Sequence, residues 1–184
     1  APFGNYLKFK NATSVTGTWT YQPRPGLLKQ IFKTLRYTNQ GWRNKLGLRN
    51  AGINYGLKKT NSNEVLSIAA IDKYDWINLD SIIPSNQNIE LNISCPNLEV
   101  HQDTTNFKGF DLWTNRIAKW CIIKVPPIAS YELLDKIVDL GFTQIHASNT
   151  LPTDKGGLSG KVLLPYTKRI IEYLKSKYNH VEVI

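Results

Sequence analysis

Short runs of apolar, β-branched residues alternate along this chain with stretches whose apolar positions recur three and four residues apart. Five such runs, Ser14–Thr20, Glu64–Ala70, Asn88–Ser94, Trp120–Val125 and Thr143–Ser148, read as strands, and a sixth, Val181–Ile184, is cut off by the end of the sequence. Tyr131–Leu140 sets Leu133, Leu134, Ile137 and Val138 on one helical face, with Ser130 as N-cap and Gly141 closing the helix. Pro165–Tyr178 sets Tyr166, Ile170, Ile171 and Leu174 on one stripe, with Pro165 in the first turn. Asp75–Ile83 and Thr105–Ile117 carry weaker helical patterns, and Lys29–Arg43, mixed aromatic and basic, has no regular period.

Strands alternating with helices over short connections predict a parallel sheet covered by helices. No repeat, linker or low-complexity tract interrupts the 184 residues, so one domain is expected. Sheets of this kind carry their chemistry at the carboxyl ends of the strands. Scanning there finds Asn92 and Cys95 near the end of the third run, Lys124 in the fourth, and Asn149-Thr150 just past the fifth. Gly17-Thr18 lies inside the first run.

Composition narrows the picture. A net charge of +9 fits a phosphate or nucleic-acid partner, but the basic residues are scattered, and charge of this size also simply keeps a protein dissolved. Two cysteines do not make a disulfide scaffold and favour a reducing, cytoplasmic setting. No apolar run approaches a membrane span, and APFGNYLKFK lacks the apolar segment of a signal peptide. The chain contains no methionine, so Ala1 is not expected to be the start of translation. His101, His146 and His180 have no metal-ligand spacing, and no metal site is expected.

The stretch ELNISCPN, residues 90–97, crowds two amides and a thiol against one turn. Cys95 there is a candidate base or nucleophile, if neighbours favour its thiolate; the plain alternative is a small buried filler. Cys121, inside WCIIKV, reads as filler. Lys124, in a very apolar strand, needs a partner: a phosphate, a carboxylate or an electron-rich ring, unless it snorkels to solvent. Asn44, Asn92, Asn97 and Asn149 are each ordinary turn residues; together their amides could match the N–H and C=O edge of a planar imide. KGGLSGK, residues 155–161, reads as a flexible loop whose backbone can approach a flat ligand or phosphate. It is neither a Walker loop nor a dinucleotide fingerprint.

ELNISCPN, IIKVPP, ASNT and GGLSGK, in this order and with TGTWTYQPRPG and NKLGLRNAG, resemble the dihydroorotate dehydrogenase family over nearly the whole chain. The resemblance implies a TIM-type (β/α)₈ barrel with FMN at the carboxyl face, here an incomplete barrel of about six strand–helix units. It also implies oxidation of dihydroorotate to orotate in pyrimidine biosynthesis: a base takes the C5 proton while hydride passes from C6 to the flavin. Cys95 matches the base of class-one members, where the membrane-associated class two has serine. Asn44, Asn92, Asn97 and Asn149, with Thr150 beside the last, match the orotate-binding positions. Lys124 matches the lysine near the flavin's pyrimidine edge, with Asn92 also on the cofactor side, and Thr18 and Gly160 match positions packed against FMN. Leu98–Phe110 would be the lid over the base.

Some positions depart from that pattern. Class-one members carry lysine where Gly17 stands, and the family's NPxPR gives way to LLKQI after Gly26. The sequence stops at VEVI, and the first strand looks clipped, so the last two strand–helix units and part of the first strand are expected to be missing from residues 1–184. Two rivals remain on the residues alone: a related flavin barrel acting on RNA, such as a tRNA dihydrouridine synthase, and a non-catalytic remnant that binds a partner. The electron acceptor (fumarate, a quinone or a nicotinamide nucleotide) is left open, as is a homodimer.

Overall fold

A computed structural model describes residues 12–72, 74–94 and 109–184. Six parallel strands form one sheet: β1 (Val15–Thr20), β4 (Val65–Ala69), β5 (Ile89–Asn92), β6 (Cys121–Val125), β7 (Gln144–Ala147) and β10 (Glu182–Val183). They lie side by side in chain order, which is the order of a barrel wall. All six match the sequence runs, trimmed by a residue or two at their ends. Among the described residues β1 and β10 are the outer strands and the sheet does not close on itself.

Helices fill the crossovers: α2 (Ile53–Lys59), α3 (Asp75–Ile82), α4 (Asp111–Thr114), α5 (Tyr131–Asp139) and α6 (Leu164–Lys177). The Ser130 side chain accepts from the Leu133 backbone N–H, and Gly141 follows α5 at a φ of 98°, so both ends are capped as the sequence predicts. Of the Thr105–Ile117 pattern, only Asp111–Thr114 is helical among the described residues.

Strand alternation sorts the side chains. Leu66, Ile68, Ile89, Leu91, Ile123 and Ile145 are fully buried and pack with Leu134 and Ile137 of α5 and Ile170 and Leu174 of α6. Ser67, Glu90, Asn92, Lys124 and His146 alternate with them and project to the opposite, inner face. That inner face carries the site.

A second sheet corrects two expectations. Lys29–Arg43 is not irregular: it contributes to α1 (Leu27–Thr34), β2 (Arg36–Thr38) and β3 (Gly41–Asn44). The KGGLSGK segment is not a flexible loop either, since Gly156–Ser159 forms β9, followed by a 3₁₀ turn into α6. With β8 (Leu151–Thr153) these make a four-stranded antiparallel sheet, ordered β2-β3-β9-β8. Helix α1 buries none of its residues and exposes Leu28 and Phe32.

Candidate functional site

The site grows from three neighbouring strands. Glu90 of β5 is buried, and one carboxylate oxygen accepts from Lys124 Nζ of β6 at 2.6 Å and from Ser67 Oγ of β4 at 2.7 Å. The other oxygen meets His146 Nδ1 of β7 at 2.6 Å. Lys124 and His146 sit opposite each other in the β6–β7 ladder, so both reach the one carboxylate between them. Burial alone would raise the Glu90 pKa; the His146 hydrogen bond and the Lys124 charge outweigh it and hold the carboxyl at about 2. The partner that the half-buried Lys124 requires is thus a carboxylate within the chain.

Above this cluster lies an amide layer. Asn92 Nδ2 donates to Thr18 Oγ1 at 3.1 Å, and Asn92 Oδ1 accepts from Asn149 Nδ2 at 2.8 Å. Asn149 Nδ2 also reaches the Ser94 carbonyl at 2.9 Å, while its Oδ1 accepts from the Thr150 backbone N–H at 2.8 Å. Thr18 Oγ1 lies 2.9 Å from Ser67 Oγ, which ties the amides to the charged cluster. Thr18, Asn92, Lys124, Asn149 and the Thr150 backbone therefore share one continuous network on the inner face. Asn149→Ala strips donors from Asn92 and Ser94 together and is expected to cost about 1–3 kcal/mol, measured as a lower urea midpoint.

Other candidates are held elsewhere or differently. Asn44 ends β3, pairs with Gly157 in the antiparallel sheet, and its Oδ1 accepts from the Leu46 backbone N–H at 3.2 Å. Gly160 has a φ of 130°, and a Cβ there would sit 3.2 Å from Gly41 Cα, so its observed neighbour is the β2–β3 hairpin. Cys95, Asn97 and residues 98–108 lie outside the described residues. Phe110, assigned to the lid by resemblance, is instead core: it is buried, with its ring 5.1 Å from that of Trp76. Cys121 behaves as filler, its thiol reaching the Trp113 carbonyl and pushed up to about 12 by burial.

Gly17 has a local cause. It sits at a bulge where the β1–β4 register shifts, at a φ of 93°. A Cβ there would come within 2.6 Å of the Trp19 ring and 2.9 Å of the Ser67 carbonyl oxygen. Lysine at this position would require β1 to be rebuilt.

Glu90, Ser67, Ser94 and His146 were not picked out as site residues from sequence. The available signal was three complementary ionisable residues, Glu90, Lys124 and His146, near the ends of successive apolar strands. An open cleft of about 350 Å³ is lined by Thr38, Arg43, Asp154 and Lys155 on the antiparallel sheet. It includes none of the network residues, and its mixed charges single out no ligand. The network, with its buried ion pair, is the better candidate site.

No family model matches the chain. In sequence it is 26% identical over 187 residues to "Dihydroorotate dehydrogenase B (NAD(+)), catalytic subunit" of Endomicrobium trichonymphae, covering 85% of this chain and 60% of that protein. In fold it matches ligand-free DHODH from Eimeria tenella with a TM-score of 0.62 at 15% identity, over 92% of this chain and 64% of that one. The ferulenol complex of DHODH from the same organism matches with a TM-score of 0.56 at 15% identity, over 93% of this chain and 62% of that one. The chain resembles the dihydroorotate dehydrogenases.

That likeness gives the six-stranded sheet a TIM-barrel-like reading. The chain spans about 60% of the length of the curated dihydroorotate dehydrogenase it matches. Among the described residues, no helix is long and apolar enough to cross a membrane.

Proposed function

We propose that this chain carries out the central step of a dihydroorotate dehydrogenase: FMN-dependent oxidation of dihydroorotate to orotate in pyrimidine biosynthesis, in the cytoplasm. The observation that carries the reading is the continuous inner-face network of Thr18, Asn92, Asn149 and Lys124. Its support from outside the chain is the sequence likeness to a dihydroorotate dehydrogenase catalytic subunit.

The donor set suits a flavin. A flavin's pyrimidine edge offers alternating N–H and C=O groups, and the Asn92 amide and the Lys124 ammonium supply complementary groups on one face. Lys124, Asn92, Thr18 and Gly160 are the residues proposed to hold it. When bound, FMN supplies the acceptor for hydride.

The remaining work falls to the chain. Asn44, Asn92, Asn97 and Asn149, with Thr150, are proposed to grip the planar imide ring of the substrate. Amide side chains can both donate and accept, so they match such a ring in one orientation only. Cys95 is proposed to remove the C5 proton as thiolate. Glu90 holds the Lys124 ammonium in place through a charged hydrogen bond.

The test is spectroscopic. Loaded with FMN and kept anaerobic, the chain should bleach its flavin absorbance on addition of dihydroorotate. Cys95→Ala should retain FMN and slow bleaching by about 100-fold or more. Bleaching by the variant at the parent rate would remove Cys95 as base. Failure of the parent to bind FMN, or bleaching only with transfer RNA, would overturn the whole reading.

A further inference from the structure

His146 is not used by the reaction proposed above, yet a buried carboxylate holds its imidazole in place. Its Nδ1 lies 2.6 Å from a Glu90 oxygen, and the Glu90 side chain is 1% exposed while the imidazole is 33% exposed. An ionised carboxylate can only accept, so Nδ1 must carry the hydrogen. In the neutral ring that leaves the lone pair on Nε2. Buried carboxylates orient imidazoles in this way when the far nitrogen is to handle a proton.

Charge counting gives the arrangement a consequence. Glu90 takes two cationic partners but cancels only one positive charge. With His146 neutral, Glu90 and Lys124 balance. With His146 protonated, the cluster gains one positive charge at the carboxyl end of the strands. We propose that His146 is a solvent-facing proton acceptor beside this site, separate from the base: Glu90 fixes its Nδ1–H, its Nε2 takes a proton from solvent, and the charge gained strengthens binding of the anionic ligand. This rests on the functional reading above, which supplies orotate as that ligand.

The neighbours leave the role to this residue. From β6 the facing group is Lys124, from β5 Glu90 and from β4 Ser67. On β10 the Glu182 carboxylate accepts from Gln144 Nε2, and on α6 Arg169 donates to the Pro127 and Ala129 carbonyls. Lys168 and Glu172 of α6 pair with each other in solvent. The Glu90 carboxyl is held well below the ordinary carboxylate range by its hydrogen bonds and by the Lys124 ammonium, so it is ionised at neutral pH.

Two measurements decide the matter. Nitrogen-15 NMR of the chain, with His146 assigned by its loss in His146→Gln, should show the neutral ring as the Nδ1–H tautomer and proton uptake at Nε2. The opposite tautomer would overturn the proposal. In the second, orotate is titrated into the FMN-loaded chain and followed by flavin absorbance. Affinity should rise on the order of threefold to tenfold between about pH 8.5 and pH 5.5. In His146→Gln, which keeps a donor for Glu90, affinity should be flat over that range. An equal pH dependence in parent and variant overturns the proposal. A chain that takes up no FMN refutes the functional reading instead, and the tautomer then decides the fate of His146. Glu90→Gln should abolish the tautomer preference; if that variant does not fold, the His146→Gln pair is sufficient.

Discussion

Glu90→Ala is expected to destabilise the protein by about 3–5 kcal/mol, because it leaves the largely covered Lys124 ammonium without its counter-charge. The carboxylate is 1% exposed and the ammonium side chain 14%, so water compensates the lost partner only in part. The same deletion removes the acceptor used by Ser67 and His146. Urea unfolding would report it as a lower midpoint.

Acid gives an independent check on Glu90. Its carboxyl titrates at about 2 in the folded protein against an ordinary value of 4.5, a difference of roughly 3 kcal/mol. Because the folded value is the lower one, this stabilisation is complete above the unfolded value. It is lost as pH falls from about 5 towards 2. Glu90→Gln has no such group to protonate, so the gap in stability between parent and variant should narrow across that window. A constant gap, followed by urea unfolding at each pH, would show that the carboxylate is not held this way.

Trp113→Ala should cost a comparable amount, about 3–5 kcal/mol. Trp113 is fully buried at the end of α4 and packs edge-on to Trp76 at 6.2 Å. The Arg116 guanidinium lies 4.9 Å from its ring centroid and in turn donates to Asp80 and to the Ile83 and Pro84 carbonyls. Removing the ring opens a void between α3 and α4 and loosens that arginine. Trp113→Phe should cost far less, since the buried indole N–H has no acceptor among the described residues. Thermal unfolding of the two variants side by side distinguishes a packing role from a polar one.

What could be read beforehand follows the physics of each element. The four central parallel strands were legible because each buries its apolar positions, which calls for Val, Ile and Leu, as in Val65–Ala69. Helix α5 announced both its ends, with Ser130 and Gly141. The antiparallel sheet was hidden for the opposite reason. Tyr37 and Trp42 face solvent, and GGLS has little strand propensity of its own. These strands persist through one another: a Cβ on Gly41 would overlap the Ser159 carbonyl, and one on Gly156 the Asn44 carbonyl. Glycines that looked like a supple loop are there for close backbone approach. In the candidate site, Asn92, Asn149 and Lys124 were legible from their strand-end positions. Glu90 was not, because one acidic residue in an apolar run discloses neither its burial nor its partners.

The ladder between β3 and β9 sets Trp42 opposite Ser159 and Asn44 opposite Gly157. More than a hundred residues of chain must emerge from the ribosome between the two halves of that pairing. The β2–β3 hairpin therefore lacks its β9 partner until nearly all the parallel strands exist. Loop closure over such a span is slow, so this clasp is expected to be among the last parts of the molecule to gain protection from hydrogen exchange during refolding.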